Sequence, residues 1–555
     1  MRNPWGDLPR PPLMHGIGNA SLKITTHSLE AQSYFNQGLR LLHCFWYFEA
    51  YRAFRAAARI DPGAAMAYWG MAEAFMNFPT MAGAAESRLE QARSLAPNAS
   101  AHEQAYIRAA SDLADMPNGR AAYARDMQAL IRDYPNDLNA PEFLAWFMMS
   151  GYDASGRPTP GELYAEALLR RILSSHPNDI AANHYWVHAV EAGPRPQDGL
   201  RSVALLLKLA PNSGHLVHMA GHIYYRLGDY DRARQSFLQS MRVDEAYMAR
   251  EHIPSQYDAN FSHNLSYLAA ACAEAGRYQE ALRWARKLAR LPAPLTSGGS
   301  AIAYAVPTGS TLLRLHLRFA DWHAAASDPV SFGGVRVSPG DAAMEYQDGW
   351  HAYAKGMAAL HPNSGRPAVD EAKEDAAGLQ SALSNLSRNY SAAPPADSFW
   401  VGGAIQLLET ALAELQGSIE YDGNDEPGAL RLLESAVGKE NALGYTEPPY
   451  YARPVEETLG GVCLRAHAWE LAREAFMQEL RIRPRSGFAL FGIARSYEFE
   501  GQSGNAAKAF EQFLVAWRHA DPDLPQVKHA ERWLAAYRAA HADRRFRTRS
   551  AAVAH

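Results

Sequence analysis

The feature that most constrains this chain is that it repeats itself. Gly228-Asp229-Tyr230 is followed by Ala233 and Phe237, and Gly276-Arg277-Tyr278 by Ala281. Trp469 leads in the same way to Ala472, Phe476 and Pro484, and Tyr47 to Ala50, Phe54, Ala57 and Pro62. Each set reads as a helix, a tight turn and a second helix packed back on the first through small and large residues. Pro177-Asn178-Asp179 stands just upstream of Ile180, where a helix start needs a capping residue. Sustained period-two alternation is missing, so the expected fold is all-α, a helix-hairpin solenoid.

These spacings resemble the tetratricopeptide family, whose 34-residue unit is a helix A, a turn and a helix B; with Gly228 in the fifteenth, turn-glycine place, the resemblance implies that one unit opens at Gly214 and the one before it at Ile180. A closer similarity covers most of the chain. ITTHSLEAQSYFNQGLRLLHCFWYFEAYRAF (24–54), AMAYWG (65–70), HYWVHAVE (184–191), PNSGHLVHMAGHIYYRLGDY (211–230) and SHNLSYL (262–268) look like a group of bacterial tetratricopeptide proteins. Those proteins often carry His-His where this chain has Asn183-His184, and His-Met-Pro-Gly-His where it has His218-Met219-Ala220-Gly221-His222. The resemblance implies a superhelical array with a concave groove, and it names no reaction.

Along the chain we expect an N-terminal extension (1–30), a first array (31–290), a loop-rich joint (291–340), a second array (341–540) and a basic tail (541–555). Glu245 to Asn260 reads as an insertion able to cap the groove through His252 and Tyr257. Leu291 to Leu313 is long enough to cross a bilayer, but Pro292, Pro294, Gly298, Gly299, Pro307 and Gly309 make it a surface loop. Arg544, Arg545, Arg547 and Arg549 read as a solvated tail.

Composition then excludes several functions. Lys+Arg 54 against Asp+Glu 59 gives a net charge of −5, without the basic excess that phosphate-backbone binding needs, so no nucleic-acid partner is expected. Cys44, Cys272 and Cys463 are too far apart for a disulfide framework or a cysteine zinc knot, which suits a reducing cytosol. The proline- and glycine-broken start has no apolar core of a secretory signal, and the expected location is cytoplasmic, with no membrane partner.

Histidine is the informative residue. Of the 21 in the chain, five fall between 184 and 222. His184, His188 and Glu191 share one helical face, and His215, His218 and His222 share another. His218 follows His184, and His222 follows His188, by the same 34 residues, so the two stripes occupy equal places in consecutive units. By resemblance, those places face the groove. His263 takes the place of His215 in the next unit, where Ser266 stands in that of His218.

Imidazoles with one carboxylate and no thiolate suit a transition metal, Fe, Cu or Zn, and disfavour Ca or Mg. His188, Glu191 and His222 offer a two-His, one-carboxylate face for Fe(II); His184, His188, His218 and His222 offer two rungs suited to copper or a dinuclear pair. More ligands than four argues against a closed structural zinc. The leading expectation is a metalloenzyme that oxidises a small molecule with dioxygen. In it His188, His218 and His222 ligate, Glu191 ligates or acts as general base, and His184, His215 and His263 complete or orient the shell. The rivals are a scaffold binding a partner peptide in the groove and a structural cluster hydrogen-bonded to Tyr185, Tyr224 or Tyr225.

Other motifs carry less. His102-Glu103 lacks the second His of a zinc protease helix, and Walker, G-x-S-x-G and G-x-G-x-x-G motifs are missing. His43, Phe45, Trp46, Tyr68, Trp69 and Trp146 read as packing residues, Glu447-Pro448-Pro449-Tyr450 as a rigid loop, and Asp321-Trp322-His323 as surface.

Overall fold

The computed structural model describes residue 5 and residues 9–76, 78, 81–114, 118–153, 156–362 and 365–552, with side chains at all of these except 392, 395, 396 and 542–552. The tail arginines therefore lie outside the described side chains, within the last helix. The helices are α1 (Leu29–His43), α2 (Tyr47–Ile60), α3 (Ala65–Met76), α4 (Ala82–Leu95), α5 (Ala101–Ala114), α6 (Gly119–Asp133), α7 (Asn139–Met148), α8 (Pro160–Ser175), α9 (Ile180–Glu191), α10 (Leu200–Leu209), α11 (Gly214–Arg226), α12 (Tyr230–Glu251) and α13 (Ala259–Glu274). They continue as α14 (Tyr278–Ala289), α15 (Ala301–Tyr304), α16 (Thr311–Arg318), α17 (Trp322–Ser327), α18 (Ala342–Leu360), α19 (Val369–Ala392), α20 (Pro395–Asp422), α21 (Glu426–Ala442), α22 (Val455–Arg465), α23 (Trp469–Ile482), α24 (Gly487–Phe499), α25 (Ser503–Ala516) and α26 (Pro525–Ala552). Among the described residues the single β feature is a bridge between Tyr152 and Pro158, and no helix is long and apolar enough to cross a membrane.

The chain divides into two compact units. One holds Met1–Tyr224, Gln235–Asn264 and Leu291–Ser300; the other holds Tyr225–Arg234, Leu265–Arg290 and Ala301–His555.

In the first unit the hairpins interlock through glycine and phenylalanine. Phe54 of α2 is fully buried, and a Cβ on Gly38 of α1 or Gly70 of α3 would stand 2.6 or 2.5 Å from its ring. The ring therefore occupies space that only hydrogen leaves open on both neighbours. Phe237 of α12 sits against Gly221 of α11 in the same way. In the second unit Phe476 of α23 lies between Gly460 of α22 and Gly492 of α24. Each ring follows its own hairpin's glycine by sixteen residues, a regularity that makes one packing solution recur.

Three segments depart from the sequence reading. Trp5 belongs to the core of the first unit, 2% exposed, its ring centroid 4.7 Å from Phe75 and 5.3 Å from Tyr51. The insertion at Glu245–Asn260 lengthens α12 and packs on α2 through Tyr247 on Trp46 and Tyr257 on Phe48, both with centroids 4.6 Å apart, so Tyr257 covers α2 rather than capping a groove. The stretch expected to be loop from Leu291 is helical and buried from residue 301. Pro307 is tolerated there because Ala305–Gly309 forms a π turn, closed by the Ser310 N–H donating to the Ala305 carbonyl at 2.9 Å. Within the second unit, Asp321 caps α17 and Trp322 is buried, so that motif is structural.

Candidate metal centre

Two caps set the register of the histidines. The Asp179 carboxylate accepts from the Ala182 N–H at 2.8 Å and starts α9 at Ile180. Thirty-four residues on, the Ser213 hydroxyl accepts from the Leu216 N–H at 3.4 Å at the start of α11. Equal starts put His184 and His218 fifth, and His188 and His222 ninth, on two helices of the first unit.

The side chains gather as two triads. One ligand nitrogen each from His184, His188 and His215 lie within 4.8 Å of one another, and so do those of His218, His222 and His263. Nε2 of His184 is 3.0 Å from Nε2 of His215, and Nε2 of His222 and His218 meet more closely still. The ring centroids of His215 and His218, one from each triad, are 5.5 Å apart.

Behind the triads, five imidazoles are held by Nδ1. His184 donates to the His43 carbonyl at 2.7 Å, and His188 and His222 donate to the two oxygens of Glu191 at 2.6 and 2.5 Å. His215 donates to Asn260 Oδ1 at 3.3 Å and His218 to Asn264 Oδ1 at 3.2 Å. Asn264 is not free to turn over, because its Nδ2 donates to the Phe237 carbonyl at 2.9 Å; Asn260 Nδ2 donates to Asp244 at 2.8 Å, a carboxyl that burial pushes well up. The His43 carbonyl, the Glu191 carboxylate and the fixed Asn264 oxygen accept, so on His184, His188, His222 and His218 the proton of the neutral ring sits on Nδ1 and the lone pair on Nε2.

The consequence is electrostatic. The Nε2 lone pairs of His218 and His222 face each other and repel unless a cation lies between them. A proton is a poor candidate, because burial first, and then neighbouring imidazoles, hold His184, His215, His218 and His222 well below the usual histidine range. Nitrogens at ~2.0–2.1 Å from one ion, at 90–109°, stand ~2.8–3.4 Å apart; the His184 and His215 nitrogens lie in that range, and those of His218 and His222 stand closer than it. His184, His218 and His222 are completely buried, whereas His188, His215 and His263 are half-buried, so the cluster opens on one side.

All seven residues expected at the site are brought together in this unit. Glu191 stands behind the rings with both oxygens on imidazoles, the contact of an orienting carboxylate. The Tyr185 hydroxyl contacts Nδ1 of His43, at 3.0 Å.

Sequence reasoning missed the supports. Phe45, read as packing, has its ring 4.6 Å from His184, 5.4 Å from His188 and 5.3 Å from His215, and Trp146 lies 5.6 Å from His188. Phe45 sits at φ 57°, where a helix end favours glycine, between the paired bonds from its own N–H to Leu42 and from the Trp46 N–H to Leu41. The corresponding turn places elsewhere hold Gly228, Gly276 and Gly501, or the smaller or polar Ala320, Asn424 and His467. A phenylalanine at that place was the available signal. His43 is a core residue as expected, but its carbonyl orients His184.

Residues 215–247 match the family model for the tetratricopeptide repeat, a segment that carries His215, His218 and His222. No curated protein matches the chain. Among solved structures it is similar to yeast Tom70, at 13% identity over 92% of this chain and 96% of that one, with a TM-score of 0.32. It is also similar to the human IFIT1 dimer with m7Gppp-AAAA, at 11% identity over 86% of this chain and 94% of that one, with a TM-score of 0.34. The matched repeat and the recurring glycine–phenylalanine hairpins make the fold all-α and tetratricopeptide-like.

Proposed function

We propose that this is a cytoplasmic metalloprotein of the bacterial histidine-motif type, in which the two triads hold transition-metal ions, Fe, Cu or Zn. The observation that carries this reading is the set of Nδ1 anchors, which leaves Nε2 lone pairs converging at ion-sharing distance. Three imidazoles per ion leave coordination positions open, and the half-buried side supplied by His188, His215 and His263 offers a route to them. Such an ion supplies Lewis-acid or redox chemistry, and we infer oxidation of a small molecule with dioxygen as the reaction class. The chain's own part is to hold the rings rigidly, through Glu191, Asn260 and Asn264, and to keep the inner three dry. A peptide cannot grip His184, His218 or His222, which are fully buried; this favours the small molecule as the groove's partner.

The test is metal analysis by plasma mass spectrometry on protein purified without chelator or nickel resin, in air and anaerobically. Two ions per chain are expected, falling to one in His215→Ala and in His222→Ala. Protein that stays metal-free after reconstitution with Fe(II), copper and zinc would overturn the assignment.

A further inference from the structure

A second candidate site lies wholly in the other unit, away from histidine. Its origin is the π turn at Ala305–Gly309, which leaves carbonyls without helical partners. Arg314 of α16 reaches back to them. Its Nη1 donates to the Val306 carbonyl at 3.0 Å, and its Nη2 to the Pro307 carbonyl at 2.9 Å and to the hydroxyls of Ser266 and Thr311, both at 3.0 Å. The side chain is 6% exposed and lines a small cavity with Arg318 and Arg483.

The three arginines are not equivalent. Arg318 grips both oxygens of Glu274 at 2.8 and 3.0 Å, and Arg483 reaches the same carboxylate at 3.0 Å. Among the described residues no carboxylate lies within ion-pair distance of Arg314; its nearest ionisable neighbours are the phenols of Tyr225, Tyr346 and Tyr450. Carbonyl and hydroxyl dipoles orient a guanidinium but do not neutralise it, and a buried charge without a counter-charge is among the costlier things a fold can contain. The opposite walls are apolar: Ala269, Ala270, Ala273, Pro448 and Pro449. The cavity offers about 40 Å³, which at ~10–15 Å³ for each water is room for about three or four waters or for a small organic anion in their place.

We propose that this cavity binds a small carboxylate, of acetate or propionate size, whose anionic end pairs with Arg314 and whose alkyl end lies against the alanine and proline wall. Arg314 supplies the charge, and its bonds to the Val306 and Pro307 carbonyls and to the Ser266 and Thr311 hydroxyls fix where that charge stands. The cavity's small size selects a short chain.

Saturation-transfer NMR on the full chain tests this, with sodium acetate and sodium propionate as probes and acetamide as the uncharged isostere. Methyl signals are expected from both carboxylates and none from acetamide. Ala270→Phe fills the cavity from a half-buried helix position without touching the Arg314 bonds, and is expected to weaken acetate binding at least about tenfold while the helical circular dichroism is unchanged. Arg314→Lys, which keeps the charge but not the fork, is expected to weaken it too. No transfer to either carboxylate in the unaltered protein would overturn the proposal, as would equal transfer in folded Ala270→Phe. Displacement of acetate by inorganic phosphate as readily as by propionate would also overturn it, since the site would then take any anion.

Discussion

Glu191 makes the plainest demand on a single side chain. Its two oxygens accept from His188 and His222, one histidine of each triad, so one carboxylate sets the tautomer on both sides. Glutamine keeps the shape but replaces one acceptor by a donor, which would confront an Nδ1–H with an N–H. Glu191→Gln is therefore expected to retain its helical circular dichroism and to bind metal ~10–100-fold more weakly, as read by chelator competition. Unchanged affinity would mean that the carboxylate does not orient the rings. Sequence spacing placed Glu191 beside the histidines, but only as ligand or base. Its orienting role depends on His222, 31 residues away, and on which ring atom it meets.

Helix packing supplies a paired test. Gly70 of α3 lies against the Phe54 ring, so Gly70→Ala forces ring or helix to move, and a loss of ~1–3 kcal/mol is expected. Gly403, within α20, has open space where a Cβ would be. Gly403→Ala should instead stabilise by ~0.5–1 kcal/mol through helix propensity. Thermal or urea unfolding of the two variants checks both signs at once. The hairpins were legible because their signals are local: Asp179 as a cap, Gly228 and Gly276 as turns. Helix between 301 and 327 was not legible, because Pro307 and Gly309 read as breakers. What rescues that segment is Arg314 bonding to the Val306 and Pro307 carbonyls, a tertiary repair that no propensity records.

For the molecule as a whole, buried carboxylates set the response to pH. Burial, and then the neighbouring Glu456, push Glu440 up to about 8, although its Oε2 accepts from the Val455 N–H at 2.7 Å. An unfolded glutamate titrates near ~4.3. Between those values the folded chain holds a proton that the unfolded chain has released, so this contribution to stability is greatest at the acidic end and declines as pH rises towards 8. Glu440→Gln keeps an acceptor for Val455 and removes the titration. Its melting temperature should exceed that of the unaltered protein at pH 8–9 and match it near pH 5; an equal difference at both would refute the assignment.

The repeat, the all-helical content and the two histidine stripes follow from the sequence by itself, because helical periodicity and capping are local and a unit of constant length aligns equal places. Which nitrogen of each ring is bare was decided only in three dimensions. His184 is oriented by a carbonyl 141 residues away, His215 by an amide 45 residues away and His218 by one 46 residues away. Spacing along one chain can bring imidazoles to the same face. Only the acceptors behind them, delivered by other helices, turn their lone pairs toward a common point.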